Sequence, residues 1–226
     1  MEQRRPTDEP SYTLIRTGRK SIALVVDAFG VLTVRAPHGA QKADIDALIG
    51  RHLPWIEKTR GRIAAANVRY PPFIFSEGAT LPYLGRSLTL SYAECPDIRC
   101  EDDMLLLPPG TNQERLLRWL RVQAEYLLAE RTAYYAGKMR VSFRSMKITG
   151  AKTRWGSCSA ADRICFSWRL ILCTPSAIDY VVVHELSHII YKNHGSEFWA
   201  QVRSVLPDYA ERRNWLKQNQ RLMQII

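Results

Sequence analysis

Apolar residues along this chain fall into two regimes that meet near residue 110. Ahead of that point most of the spacing is short and strand-like. Residues 12–15 and 21–26 alternate or run apolar on either side of Thr17-Gly18-Arg19, which predicts a hairpin. A second turn at Ala28-Phe29-Gly30 leads into a strand over 31–35. From Lys42 to about Asn67 the period becomes that of an amphipathic helix, with Ile45, Leu48, Ile49, Leu53, Trp55 and Ile56 on its buried side and a bend near Pro54. Tyr70-Pro71-Pro72 ends it. Short strands are expected at 73–75, 80–83 and 87–92 around Gly78 and Gly85, then a polar turn over 96–103 and a last strand at 104–107.

Beyond Pro108-Pro109-Gly110 the helical period dominates. A long helix is predicted from Glu114 to about Ala136, with Leu116, Leu117, Leu120, Leu127 and Leu128 in its core stripe and Gly137 closing it. Strand material follows at 141–143, 146–149 and 163–172, interrupted by Thr153-Arg154-Trp155-Gly156-Ser157-Cys158 and by a turn at Ala160-Ala161-Asp162. Pro175 suits the first turn of another helix with Thr174 as its N-cap, and Ser196 caps a closing one. Pro207-Asp208-Tyr209 precedes a last helix from about Ala210. The fold expected is α+β. It comprises a leader at 1–10, a small β-rich N-terminal region with one helix at 11–110, and a catalytic domain at 111–226.

The 226 residues are 46% hydrophobic, enough to bury a core in one large domain or two small ones. Five cysteines, odd in number and with no CxxC pair, read as reduced thiols rather than a disulfide framework. Met1-Glu2-Gln3-Arg4-Arg5-Pro6 leads into no apolar run, so a cytoplasmic protein with no membrane partner is expected. The net charge of +10 is uneven. Residues 1–112 hold 14 Lys and Arg against 13 Asp and Glu, whereas residues 113–226 hold 18 against 9. The basic half suits an anionic substrate or a nucleic-acid association, although arginines such as Arg115, Arg118 and Arg121 also simply solvate a helix face.

The candidate chemistry lies in that half. Residues 184–194 read His-Glu-Leu-Ser-His-Ile-Ile-Tyr-Lys-Asn-His. Positions four apart share a helix face, so His184 and His188 present two imidazoles to one point, and Glu185 reaches a water held there without being a ligand. Two neutral nitrogens, a third ligand and an open position are the parts of a catalytic zinc site. The HExxH pattern occurs by chance and does not stand alone. Here it falls inside an apolar helix, and three of only five histidines lie within these eleven residues.

His194 lies six residues beyond His188, so it joins the pair only if the helix stops and folds back near 191–193. Asn193 tolerates the left-handed conformation that ends helices, and Gly195 adds freedom. His194 is the preferred third ligand because imidazole suits zinc, with Glu197 or Glu211 as carboxylate alternatives. One helix, a small sheet and the motif helix make up a minimal zincin-like metallohydrolase layout.

Several stretches together carry a resemblance. Arg154-Trp155-Gly156-Ser157-Cys158, Trp168-Arg169-Leu170, Asp179-Tyr180-Val181-Val182-Val183-His184-Glu185-Leu186, Asn193-His194, Phe198-Trp199, Pro207-Asp208-Tyr209, Arg212-Arg213 and Trp215-Leu216 resemble the YgjP-like family of metal-dependent hydrolases, related to the SprT and WLM zinc proteases. The N-terminal hairpins, Trp55 and Pro82-Tyr83-Leu84-Gly85 are similar to that family as well. The resemblance implies His184, His188 and His194 as zinc ligands and Glu185 as general base. It also implies a metallopeptidase that cleaves with a zinc-activated water.

Tyr191, Tyr209, Arg154 and Arg212 are candidates for a second electrophile. Trp155 and Trp168 read as core residues, and Cys158 as a packed thiol. Two other substrates fit the resemblance: proteins bound to nucleic acid, and the phosphoanhydride of a nucleotide, as in a UTP-type pyrophosphohydrolase. A binding module with a structural zinc fits less well, since such sites usually take four protein ligands and would give Glu185 no purpose.

Overall fold

The computed structural model describes residues 11–27 and 29–226. The leader expected at 1–10, and Ala28 of the expected second turn, lie outside these residues. Five α-helices and three small sheets form among the described residues, a mixed α+β fold. The chain divides into two compact units, one ending at Pro72 and one running from Phe73 to Gln224. The change of period at Pro108-Pro109-Gly110 falls inside the second unit, between its first sheet and its first helix.

In the first unit, β1 (Tyr12–Thr17), β2 (Ala23–Val26) and β3 (Leu32–Pro37) pair in the order β1-β3-β2. The hairpin expected around Thr17-Gly18-Arg19 therefore does not form. β1 pairs in parallel with β3, while β2 and β3 are antiparallel. Leu32, Val34 and Ala36 of β3 are fully buried, and the strand with the most apolar inward face takes the centre. The β2–β3 turn is held by the Asp27 carboxylate, which accepts the N–H groups of Phe29 and Val31. Helix α1 (Lys42–Arg69) runs on through Pro54 and packs Ile45, Ile49 and Ile56 onto β3. Trp55, expected on the buried side, sits at the edge of that stripe and is 45% exposed.

The second unit opens with β4 (Thr80–Tyr83), β5 (Arg86–Tyr92), β6 (Arg99–Glu101) and β7 (Met104–Leu107), in the order β4-β5-β7-β6. Residues 73–75 are irregular rather than a strand, and β6 occupies part of the expected polar turn. All three of its residues are exposed, so it carries no apolar signal. Leu84 (φ 50°) and Gly85 (φ 82°) make the two-residue β4–β5 turn, both in the left-handed region that such hairpins need. Leu84 N–H donates to Ile171 O at 2.9 Å, and a Cβ on Gly85 would lie 3.2 Å from Thr174 Cγ2.

Helix α2 (Gln113–Met139) starts at Asn112, whose side chain accepts Arg115 N–H. Gly137 does not close it. Arg140 takes the left-handed position (φ 55°), and its N–H reaches Ala136 O and Gly137 O. Next, β8 (Ser145–Thr149), β9 (Gly156–Cys158) and β10 (Arg163–Ser167) form a sheet in the order β8-β10-β9, parallel on the β8 side and antiparallel on the β9 side. Residues 141–143 lie outside it. The strand expected to reach 172 ends at Ser167, the last residue with a partner on β8, and the chain tightens into a buried 3₁₀ turn over Trp168–Leu172.

Helices α3 (Pro175–Ile190), α4 (Ser196–Val205) and α5 (Tyr209–Gln218) complete the unit. Asp179 of α3, 9% exposed, accepts two bonds from Arg131 of α2 (2.7 and 2.6 Å) and one from Tyr135 Oη (2.9 Å). Arg212 of α5 approaches the same carboxylate at 3.8 Å. One buried anion thus joins three helices. No helix among the described residues is long and apolar enough to cross a membrane.

Candidate metal centre

Thr174 caps α3 by accepting Ala177 N–H at 3.4 Å, with Pro175 in the first turn. The helix is straight enough to put the rings of His184 and His188 5.0 Å apart, centroid to centroid. It stops at Ile190. Tyr191 turns extended (φ −120°), its N–H still bonded to Ser187 O at 2.9 Å. Lys192 holds the following bend through an ion pair to Asp162, at 2.6 Å, in the β9–β10 turn.

The chain then doubles back and delivers His194, whose ring lies 4.9 Å from His184 and 4.6 Å from His188. The reversal needs no left-handed residue: Asn193 has no positive φ, and Gly195, the residue before α4, has φ −72°. Ser196 is inside α4 rather than its cap.

The Nε2 atoms of His184 and His194 lie 3.1 Å apart, and one nitrogen from each of the three rings falls within 4.8 Å of the others. Among the described residues no other group of His, Cys, Asp and Glu gathers closely enough to hold a metal ion. Phe198 of α4 floors the cluster, 5.0, 4.6 and 4.7 Å from His184, His188 and His194. Trp199 stacks against His194 (5.7 Å, 29°) and donates Nε1–H to its carbonyl at 3.1 Å.

The outer nitrogens of His184 and His188 are occupied too. His188 Nδ1 lies 3.1 Å from Tyr191 O, a carbonyl that can only accept, so the proton sits on Nδ1 and the Nε2 lone pair is free. His184 Nδ1 lies 3.4 Å from Tyr180 Oη. Burial pushes His184 down to about 3, with His188, His194 and Arg213 adding to the effect, and burial also lowers His188. Three converging imidazole nitrogens, with His184 and His188 kept neutral by burial, are the donor set a divalent metal takes, so the residues present fit such an ion.

Glu185 packs against Gly156 of β9 and is 6% exposed. A Cβ on Gly156 would lie 2.7 Å from its Oε1, 2.8 Å from Cγ and 2.9 Å from Cδ, so only glycine leaves room there for the carboxylate. Burial raises Glu185 to about 7, and Arg154 opposes that rise.

A family profile described as YgjP-like, metallopeptidase domain, matches residues 20–219. The chain belongs to the YgjP-like family. It is thereby a metal-dependent hydrolase. A likeness in structure links it to the metallopeptidase zymogen jannalysin of Methanocaldococcus jannaschii, at 17% identity and a TM-score of 0.36 over 40% of this chain and 94% of that one. No curated protein matches it at a significant level.

The remaining candidates of this YgjP-like chain separate. Glu197 and Glu211 are exposed and outside the histidine cluster. Arg212 is committed to Asp208 (2.9 Å), to Ser176 O (3.2 Å) and towards Asp179. Tyr209 stacks on Trp199 (5.5 Å), with Arg213 over the same indole at 4.8 Å. Arg154 is exposed, with its charge felt at Glu185. Cys158 is half-buried, its Sγ 3.6 Å from Ser159 O and its thiol pushed up by burial. Trp168 is in the core with Arg169 over its ring at 4.5 Å, and Trp155 is half-buried.

Sequence reasoning did not single out Tyr180 or the roles of Phe198 and Trp199. A signal was available for Tyr180, which lies one helical turn before His184.

Proposed function

We propose that the chain is a zinc-dependent peptidase in which His184, His188 and His194 hold the metal and Glu185 is the general base. When bound, the metal supplies a Lewis acid that makes a water acidic enough to lose its proton near neutral pH. The Glu185 carboxylate, whose proton affinity burial raises, takes that proton and passes it to the departing amine. His188, its tautomer set by Tyr191 O, and His184 beside Tyr180 stay neutral and oriented. Phe198 shields the inner side of the cluster from water.

The observation that favours a peptide is the outer edge of β9. This strand pairs with β10 alone among the described residues. Ser159 N–H bonds Arg163 O and Ser167 N–H bonds Trp155 O, so in this register Gly156 and Cys158 aim their N–H and C=O groups away from β10. The free edge therefore runs past the residue that faces Glu185, and an extended peptide added to it is held by main-chain bonds next to the base.

The test is hydrolysis by the zinc-loaded protein and its Glu185→Gln variant, with casein and nucleoside triphosphates assayed side by side. Cleavage of casein, lost in a variant that still holds metal, is the expected result. Hydrolysis of nucleotides alone would replace the peptidase reading with phosphoanhydride chemistry.

A further inference from the structure

Strand alternation divides the side chains of the β8-β10-β9 sheet between two faces. Gly156, Ile164 and Phe166 share the face turned to α3, since Gly156 meets Glu185 and the other two are fully buried. Ser157 opposite Cys165, and Thr149 opposite Ser167, share the other face. These four residues and Arg154 line a cavity of about 160 Å³ there.

The cavity wall is part polar and part apolar, with a single cation and no carboxylate in it. Thr149 Oγ1 donates to Phe166 O at 3.2 Å and Ser167 Oγ to Ala151 O at 2.7 Å, so both hydroxyl protons are already committed. The Arg154 guanidinium makes no hydrogen bond or ion pair among the described residues, and it and the Ser157 hydroxyl are the donors left for a guest. Two further cations lie nearby in the chain: Lys152 follows the lining residue Ala151, and Arg169, 5% exposed and bonded to Gly150 O at 3.0 Å, lies two residues past Ser167. A vacant planar donor with no counter-charge in the cavity wall suits a carboxylate.

We propose that this cavity is a specificity subsite that takes an acidic side chain, Asp or Glu, of the peptide substrate. The proposal rests on the peptidase reading above. Side chains of a peptide paired with β9 alternate between the two faces. Those beside Gly156 turn to Glu185 and the histidines, and their immediate neighbours turn to the Arg154 cavity. The acidic residue is therefore read next to the residue at the reacting centre, not several positions away.

The experiment begins with a random-sequence peptide library digested by the zinc-loaded protein, with cleavage sites identified by mass spectrometry. Synthetic pairs differing only by Glu or Gln at each position flanking the cut are then compared by kcat/KM. We expect Glu to be preferred about tenfold at one such position, the effect of one charge-assisted contact. That ratio should fall towards one in Arg154→Gln and favour Lys in Arg154→Glu. The ratio is unaffected by any general loss of activity, so an effect of Arg154 on Glu185 does not mimic it. Peptide cleavage with no Glu/Gln discrimination, or a preference unchanged in Arg154→Gln, would overturn the subsite and leave the peptidase reading standing. No cleavage of any peptide by protein that binds zinc would overturn both.

Discussion

Gly156→Ala is the substitution by which the structure makes its sharpest demand. Gly156 does not have a positive φ, so alanine is compatible with its backbone and the effect is purely steric. The added methyl would sit 2.7 Å from Glu185 Oε1, whereas ordinary contact begins at 3.4 Å, so the carboxylate oxygen must retreat by at least 0.7 Å. Cγ, at 2.8 Å, must retreat as well, which moves the whole side chain rather than its tip. Overpacking of this kind costs about 1–3 kcal/mol of stability. Displacing a catalytic group by close to an ångström costs roughly 10–100-fold in kcat.

The assay compares kcat on a cleaved peptide, bound zinc per chain, and urea midpoint for the wild type and the variant. Zinc content should hold, because the atoms the added methyl meets all belong to Glu185 and none to a histidine. Two double variants sharpen the test. In the Glu185→Gln background, Gly156→Ala should lower kcat no further; in the Glu185→Ala background it should cost little stability, since the clashing atoms are gone. A folded Gly156→Ala protein with kcat within about twofold of the wild type would refute the assignment of Glu185 as the positioned base.

Further outcomes follow from the same geometry. His194→Ala should weaken zinc binding by more than about a hundredfold in a chelator competition, while Glu197→Ala leaves it unchanged; the reverse pattern would give the third position to the carboxylate. In the metal-free protein, Glu185 at about 7 lies above its ordinary 4.5, so the stability due to its neutral form is complete below pH 4.5 and is lost as pH rises through 7. The metal-free Glu185→Gln variant keeps that stability, and its advantage over the wild type should widen by about 2–3 kcal/mol between pH 5 and pH 8 in urea unfolding. A constant difference across that range would count against burial as the cause. Asp179→Ala strands the guanidinium of Arg131, while Arg212 keeps Asp208 and Ser176 O, and should cost about 2–3 kcal/mol, since Arg131 remains partly solvated; a loss below about 0.5 kcal/mol would mean the three-helix junction is held by packing alone.

What was legible beforehand follows the range of each interaction. The α3 start at Thr174 and Pro175 and the shared face of His184 and His188 depend on neighbours within one or two turns, and the local pattern carries them. The return of His194 was expected for the right outcome and the wrong cause. An extended Tyr191 and the Lys192–Asp162 pair reverse the chain, with no left-handed Asn193. The hairpin between β1 and β2 failed for a related reason: turn residues propose a partner, but β3, whose Leu32, Val34 and Ala36 are fully buried, claims the centre of the sheet. Nothing local in Gly156 shows that Glu185 fills the place of its side chain, nor does Asp179 show that Arg131, 48 residues earlier, will bind it.

These long-range contacts are also the ones that position the site. The helix carrying His184, Glu185 and His188 meets Gly85 at its first residue, Arg131 and Arg212 through Asp179, Gly156 at Glu185, and Phe198 beneath His184 and His188. Each contact holds a different part of the same helix, so together they fix Glu185 and the histidines relative to the rest of the unit. An HExxH stretch supplies the side chains of the candidate site; where Glu185 and the histidines are held is set by residues that no motif search centred on that stretch includes.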